Sequence, residues 1–206
     1  MPIVTISRLY GSGGSEVAEK VAKLLGWELL DNEVVDAVAS RLGLSVEEVK
    51  AREERMPSLV ERLATALALG AQDWNPVAST RRPTEEQMLE VTQHIVEEAV
   101  SRGPVVIVGR GAQSMLSART DAMHVFCYAS RKAMIARCAE RDKLSPADAA
   151  RMVEDTNRRR REWVERNWER DWTAHENYHL SVNTGRLGID ESAQLIAHAA
   201  RQTLHL

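Results

Sequence analysis

The chain has 206 residues, 44% hydrophobic and 28% charged, with a net charge of −3 at pH 7. That is enough length for one domain with a real core, and so even a balance of charge excludes a general nucleic-acid footprint. No stretch approaches the roughly 18 apolar residues of a membrane span, and the start lacks the basic region and long apolar run of a secretory signal. Two cysteines, Cys127 and Cys138, allow at most one bridge and read as reduced thiols, so a soluble, cytoplasmic protein is expected.

Residues 2–6 form a short apolar run that predicts a buried strand. It leads into Arg8-Leu9-Tyr10-Gly11-Ser12-Gly13-Gly14-Ser15-Glu16, after which Val17, Val21, Leu24 and Leu25 recur at helical spacing. Strand, glycine loop and helix start in this order make a phosphate cradle. Glycine lets the backbone approach an anion, and the N–H groups and dipole of a helix N-terminus favour negative charge. The same order also describes a tight turn with no ligand. The loop departs from the P-loop pattern G-x-x-x-x-G-K-[ST]. Arg8 stands where the first glycine belongs and Gly14 where the lysine belongs, while Ser15 keeps the hydroxyl that meets Mg²⁺. Either another cation substitutes for the lysine, or this is not an ordinary ATP-consuming site.

Gly26 is placed to end the first helix, and residues 27–30 form a short strand that stops at Asp31. A helix is expected over 32–41, stopped by Gly43, and a second starts at Ser45 with Glu47 and Glu48 in its first turn. Residues 45–70 read as helix broken near Pro57, 72–84 as a long loop, and 83–102 as a further helix. The continuous apolar run Val105–Val108 marks a parallel strand covered on both faces, and it ends in Gly109-Arg110-Gly111. A strand over 124–128, a helix over 130–142, a strand over 180–183 and a closing helix over 190–204 complete the pattern. Strands alternating with helices predict a right-handed α/β domain with a parallel sheet, whose ligands sit at the carboxyl ends of strands. The glycine loop, Asp31, residues 109–111 and residues 128–131 all fall at such ends.

Asp31 is placed to cap the next helix, to bind a hydroxyl or a metal-bound water, or to do both. Arg110, between two glycines, has room to grip a phosphate bidentately, against the alternative of a surface ion pair. The most basic segment contains Arg158, Arg159, Arg160 and Arg161, which cannot share one helix face because neighbours lie about 100° apart. Either they solvate a helix salted with Glu154, Glu162 and Glu165, or pairs such as Arg158 with Arg161, or Arg137 with Arg141, converge on one ligand. Trp163, Trp168 and Trp172 nearby read as packing. The six histidines and two cysteines give no metal-ligand spacing, and no Gly-x-Ser-x-Gly elbow is present. Glu16 takes the third place of a dinucleotide G-x-G-x-x-G loop, which argues against an oxidoreductase.

The ordered segments ITIS with GSGG, GWELLDNEVVDAVA, VVIVGRGA, HVFCYASRKAMIARCAER and NYHLSVNTGRLGIDESAQLI resemble the cytidylate kinase-like family of P-loop kinases, on the branch with GSGG rather than GSGK. The resemblance implies a single P-loop domain over 1–206 of the nucleoside monophosphate kinase-like, three-layer kind, with a parallel sheet. It implies a helical acceptor-binding region over 45–102 and an arginine-bearing lid over 143–173. The implied reaction moves the γ-phosphoryl of ATP, with Mg²⁺, to a nucleoside monophosphate or similar small acceptor. The implied partner is thus a small-molecule nucleotide, not a nucleic acid polymer or a membrane. The amphipathic helices leave room for a homodimer, although such faces more commonly cover the chain's own core.

Carried onto this sequence, Gly11, Ser12, Gly13, Gly14 and Ser15 hold the donor's phosphates. Ser15 and Glu16 are the candidate metal contacts, and Asn183 and Thr184 lie near the donor's base. Asp31 and Arg110 lie on the acceptor side, and Arg8, Arg110, Arg158, Arg160 and Arg161 supply catalytic charge. Against true cytidylate kinases, Gly14 replaces the loop lysine, Glu16 a threonine, Val108 and Gly111 two aspartates, and Ala37 an acceptor-side arginine. These departures favour a second reading, a nucleotide- or phosphate-binding module with a regulatory or assembly role.

Overall fold

A computed structural model describes residues 1–31, 85–109 and 111–206. The helices expected over 32–41 and 45–70, the loop over 72–84 and the side chain of Arg110 lie outside the described residues. The chain divides into two compact units, Met1–Leu30 with Val100–Leu206, and Asp31–Ala99.

The first unit is built on parallel strands β1 (Ile3–Arg8), β2 (Glu28–Leu30), β3 (Val105–Val108), β4 (Ala122–Tyr128) and β5 (Leu180–Asn183), in the order β2-β3-β1-β4-β5. The helices are α1 (Gly14–Leu25), α2 (Glu85–Arg102, shared with the second unit), α3 (Ala112–Met115), α4 (Arg131–Asp142), α5 (Pro146–Trp168), α6 (Thr184–Leu187) and α7 (Ile189–Thr203). A 3₁₀ turn, His175–Asn177, precedes β5. All four neighbouring pairs are parallel, so none is a hairpin. Strand β1 pairs with β3 from Ile3↔Val105 to Ile6↔Val108, and with β4 from Ile3↔Ala122 to Arg8↔Cys127. The register therefore brings Arg8, Gly109 and Tyr128 to one edge.

The strand alternation explains the core. Val4, Ile6, Val106, Val108, Met123, Val125 and Cys127 face Val17 and Val21 of α1 and Ala193, Ile196 and Ala200 of α7. Each fully buried Val or Ile there is worth about 1.5–3 kcal/mol, which fixes α1 and with it the glycine loop. On the other face Phe126 packs edge-on to Trp172, with ring centroids 5.6 Å apart, and Val164 of α5 joins them. Among the described residues the expected strands and helices are found, with small shifts. The first strand runs two residues further than the apolar run suggests, because Ser7 and Arg8 continue the ladder with β4. The helix expected from Ser130 begins at Arg131, since Ser130 is its cap and its hydroxyl accepts from the Ala133 N–H at 3.3 Å. Among the described residues no helix is long and apolar enough to cross a membrane. Cys127 and Cys138 are free and buried.

Candidate active site at the glycine loop

The loop between β1 and α1 is shaped by its own backbone. Leu9 N–H donates to Cys127 O (3.0 Å), Ser12 N–H turns back to Leu9 O (3.1 Å), and Val17 N–H closes the first helical turn on Gly13 O (3.0 Å). Gly13, at φ +81°, caps α1 without a side-chain hydrogen bond. The first-turn amides of a helix have no carbonyl one turn back, so this end offers donors to an anion. Ser12 is 1% exposed and among the described residues its hydroxyl has no hydrogen-bond partner, an orphaned donor that a phosphate oxygen would satisfy. The loop is tied to the rest of the strand edge by Thr184, whose hydroxyl lies 2.5 Å from Ser12 O and 3.0 Å from Tyr128 O.

Two departures from the P-loop pattern turn out to be neighbours. A Cβ at Gly14 would stand 2.4 Å from Arg8 Cβ and 2.9 Å from its Cγ, so the arginine stem occupies the ground over residue 14. The head of the same side chain runs to β3: a Cβ at Gly109 would fall 1.8 Å from Arg8 Nη1. Glycine at 14 and 109 is thus required by the path of Arg8, and a cation lies across the ends of β1 and β3. Gly111 is filled in turn by Trp168 of α5, whose ring would be 2.2 Å from an added Cβ. The glycines around Arg110 make room for Arg8 and Trp168, a use that the sequence did not announce.

Helix α4 covers the loop from above. Cys138 Sγ abuts Gly11, the Arg137 guanidinium abuts Gly13, and Arg137 Nη1 lies 3.2 Å from both Glu16 oxygens. Glu16 therefore carries an ion pair, and Ser15, partly exposed, is the residue whose hydroxyl suits a magnesium contact. Among the described residues no group of three His, Cys, Asp or Glu gathers to hold a metal.

The arginines of α5 divide. Arg158, 61% exposed, reaches Asp155 (2.7 Å) and Glu162 (3.9 Å). Arg161 lines an open groove of about 580 Å³ with Glu165, Glu169, Arg170, Asp171 and Thr173. Arg160 reaches the loop, with Nη1 donating to Arg8 O at 2.9 Å. Arg137 and Arg141, one turn apart, both meet the loop, at Gly13 and at Tyr10 respectively. Asn183 ends β5 with its Oδ1 buried and, among the described residues, unpartnered, facing Gly185. Asp31 is half-buried at the start of the second unit. Sequence reasoning missed Tyr10 and Asn157. The spacing of Asn157 and Arg160, three apart on one face of α5, is the signal that would have found that face.

A parallel sheet in this strand order, with a glycine loop opening α1 at the edge where the strands end, defines the P-loop kinase fold. The chain belongs to the cytidylate kinase-like family, whose model matches residues 3–186. Among solved structures, an uncharacterized protein from Eubacterium ventriosum is similar at TM-score 0.67 and 19% identity, over 97% of this chain and 98% of that one. Shikimate kinase from Acinetobacter baumannii in complex with shikimate aligns at 0.56 and 18% identity, over 98% and 94% of the two chains. A gluconokinase from Sinorhizobium meliloti aligns at 0.56 and 16% identity, over 99% and 95%. These likenesses share the fold. No curated protein matches the sequence.

Proposed function

We propose that the protein is a phosphotransferase that moves the γ-phosphoryl of ATP to a nucleoside monophosphate or a similar small acceptor. Family membership and the P-loop kinase fold support the class of reaction. The observation that carries the reading to this chain is the path of Arg8, which lays a guanidinium across the strand edge beside the residue that replaces the loop lysine. Transfer of this kind needs little covalent chemistry from the protein. It is a matter of alignment and of neutralising charge on the moving group, so fixed cations carry it. The loop amides and Ser12 hold the phosphates, Arg8 and Arg160 contribute charge, and Arg110 grips the acceptor. Magnesium, when bound through Ser15, neutralises the polyphosphate.

The test is ADP release from ATP·Mg²⁺ with a panel of nucleoside monophosphates that includes CMP and dCMP. Turnover with one acceptor, a raised acceptor KM in Arg110→Ala, and a kcat reduced about 10²–10³-fold in Arg8→Met is the expected result, the loss typical of one preorganised charge. No ADP with any acceptor, alongside calorimetric binding of nucleotide, would instead make the protein a binding module.

A further inference from the structure

An aromatic residue has no evident task in a phosphate loop, yet Tyr10, directly before Gly11, collects more polar partners than packing demands. Its N–H donates to Asn157 Oδ1 of α5 at 2.7 Å. Its hydroxyl accepts from Arg141 Nη2 of α4 at 2.6 Å and lies 3.4 Å from Asp142 Oδ2 and 3.2 Å from Met152 Sδ. The guanidinium carbons of Arg141 and Arg160 stand 5.1 and 5.5 Å from the ring centroid, within the roughly 6 Å at which an aromatic face attracts a cation. Beneath them Leu9 and Tyr10 rest on Met134, Cys138, Ala149 and Val153, so the ring does not move independently of α4 and α5.

The donors left over point to a use. Arg141 engages Asp142 through Nε and Nη2, both at 2.7 Å, and Tyr10 through Nη2, which among the described residues leaves Nη1 for another acceptor. Asp142 alone would draw Arg141 towards its own helix. The Tyr10 hydroxyl and ring pull it to the loop instead, where Cys138, one turn earlier, already abuts Gly11. We propose that Tyr10 is a positioning residue that holds Arg141 and Arg160 over the glycine loop, so that both meet a polyphosphate bound there. The proposal rests on the phosphotransferase reading for its kinetic consequence, but its binding consequence is separable.

The test compares Tyr10→Phe, Tyr10→Leu, Arg141→Gln and the double variant Tyr10→Phe/Arg141→Gln with the parent chain. Calorimetric titration with inorganic tripolyphosphate reads binding, and steady-state rates with ATP·Mg²⁺ and the acceptor found above read turnover. Losing one hydrogen bond to a charged group predicts, for Tyr10→Phe, about tenfold weaker tripolyphosphate binding and about tenfold lower kcat, with acceptor KM unchanged. Tyr10→Leu, which also removes the aromatic face, loses more. Where that variant fails to fold, Tyr10→Phe decides. In the Arg141→Gln background Tyr10→Phe adds nothing further, because the two residues act as one unit.

Tyr10→Phe behaving as the parent in both assays, or losses that add fully to those of Arg141→Gln, overturns the proposal. A parent chain that binds tripolyphosphate but turns over no acceptor sinks the phosphotransferase reading alone. The titrations then decide for Tyr10, a tenfold loss supporting it and no loss overturning it. A parent chain that binds no tripolyphosphate overturns the Tyr10 proposal, and ADP release with the acceptor panel decides the phosphotransferase reading separately.

Discussion

Arg8 and Gly14 have exchanged the side chains that the P-loop pattern gives them, and the exchange is one event rather than two. An arginine at position 8 needs the space over residue 14, and a lysine at 14 needs a glycine at 8. The geometry makes this a stability claim that can be measured. Gly14→Ala sets a methyl group 2.4 Å from Arg8 Cβ and 3.2 Å from Cys127 Cβ, against a stem and a buried strand that cannot swing aside. Overpacking of this kind costs about 1–3 kcal/mol. Urea unfolding should show that loss, and Arg8→Gly in the same chain should recover most of it. If Gly14→Ala unfolds at the parent's midpoint, the arginine stem is not confined there. Each departure was legible in the sequence as a mismatch to a pattern. Their pairing was not, since nothing in a linear motif says that residue 8 leans over residue 14.

At the scale of the element, α5 behaves as a strut. The sequence offers a basic helical segment around Arg158–Arg161, and the structure extends it to a helix capped by Ser145 with Pro146 in its first turn. Ser145 Oγ accepts from Asp148 N–H at 3.1 Å and contacts the Asp148 carboxylate at 2.6 Å. The basic run does not reveal which arginine faces inward, because four in a row offer every direction at once. Packing decides it. Val153 and Val164 bury one side of the helix. That leaves Arg158 outward and brings Asn157 and Arg160 to the backbone of residues 10 and 8. Asn157→Ala removes the acceptor of the Tyr10 N–H and leaves that partly buried donor unpaired, a cost of about 1–3 kcal/mol. The expected outcome is local: amide exchange at Tyr10 and Gly11 quickens 10- to 100-fold, on the order of that energy at 1.4 kcal/mol per decade, while exchange in β3 stays as it was. Equal quickening throughout the sheet would mean that the helix braces the whole core rather than the loop.

For the whole molecule, the buried groups His124, Cys127 and Tyr178 shape the pH range of stability, while at the loop burial also raises the Tyr10 hydroxyl. His124, 4% exposed, has Nδ1 2.7 Å from Thr5 Oγ1 and stacks on His179 with ring centroids 5.2 Å apart. Burial, helped by the charges of His179 and Arg170, pushes its pKa down to about 4 from 6.5. The folded state therefore binds fewer protons than the unfolded chain between these values. Its contribution is complete above pH 6.5 and is lost as the pH falls towards 4, amounting to about 3 kcal/mol. On the alkaline side burial pushes the Cys127 thiol up to about 12 from 9.0, and the Tyr178 hydroxyl, which donates to Trp172 O at 2.7 Å, up to about 12 from 10.0. Both groups are held neutral by folding, so their contributions are present below their unfolded values and are lost as the pH rises through 9 to 12. Unfolding free energies from urea titrations should thus be level between about pH 6.5 and 9 and fall on either side. His124→Gln lowers the plateau yet flattens the limb between pH 6.5 and 4, and Cys127→Ala makes the alkaline limb shallower without moving its onset, because burial also raises the Cys138 thiol from 9.0. An acid limb of unchanged slope in His124→Gln would assign that limb to other groups. The strands that carry His124 and Cys127 were legible as apolar runs, but a histidine in a strand gives no sign of its burial. That follows from the register that sets His124 opposite Thr5 on β1 and from the ring of His179 laid over it.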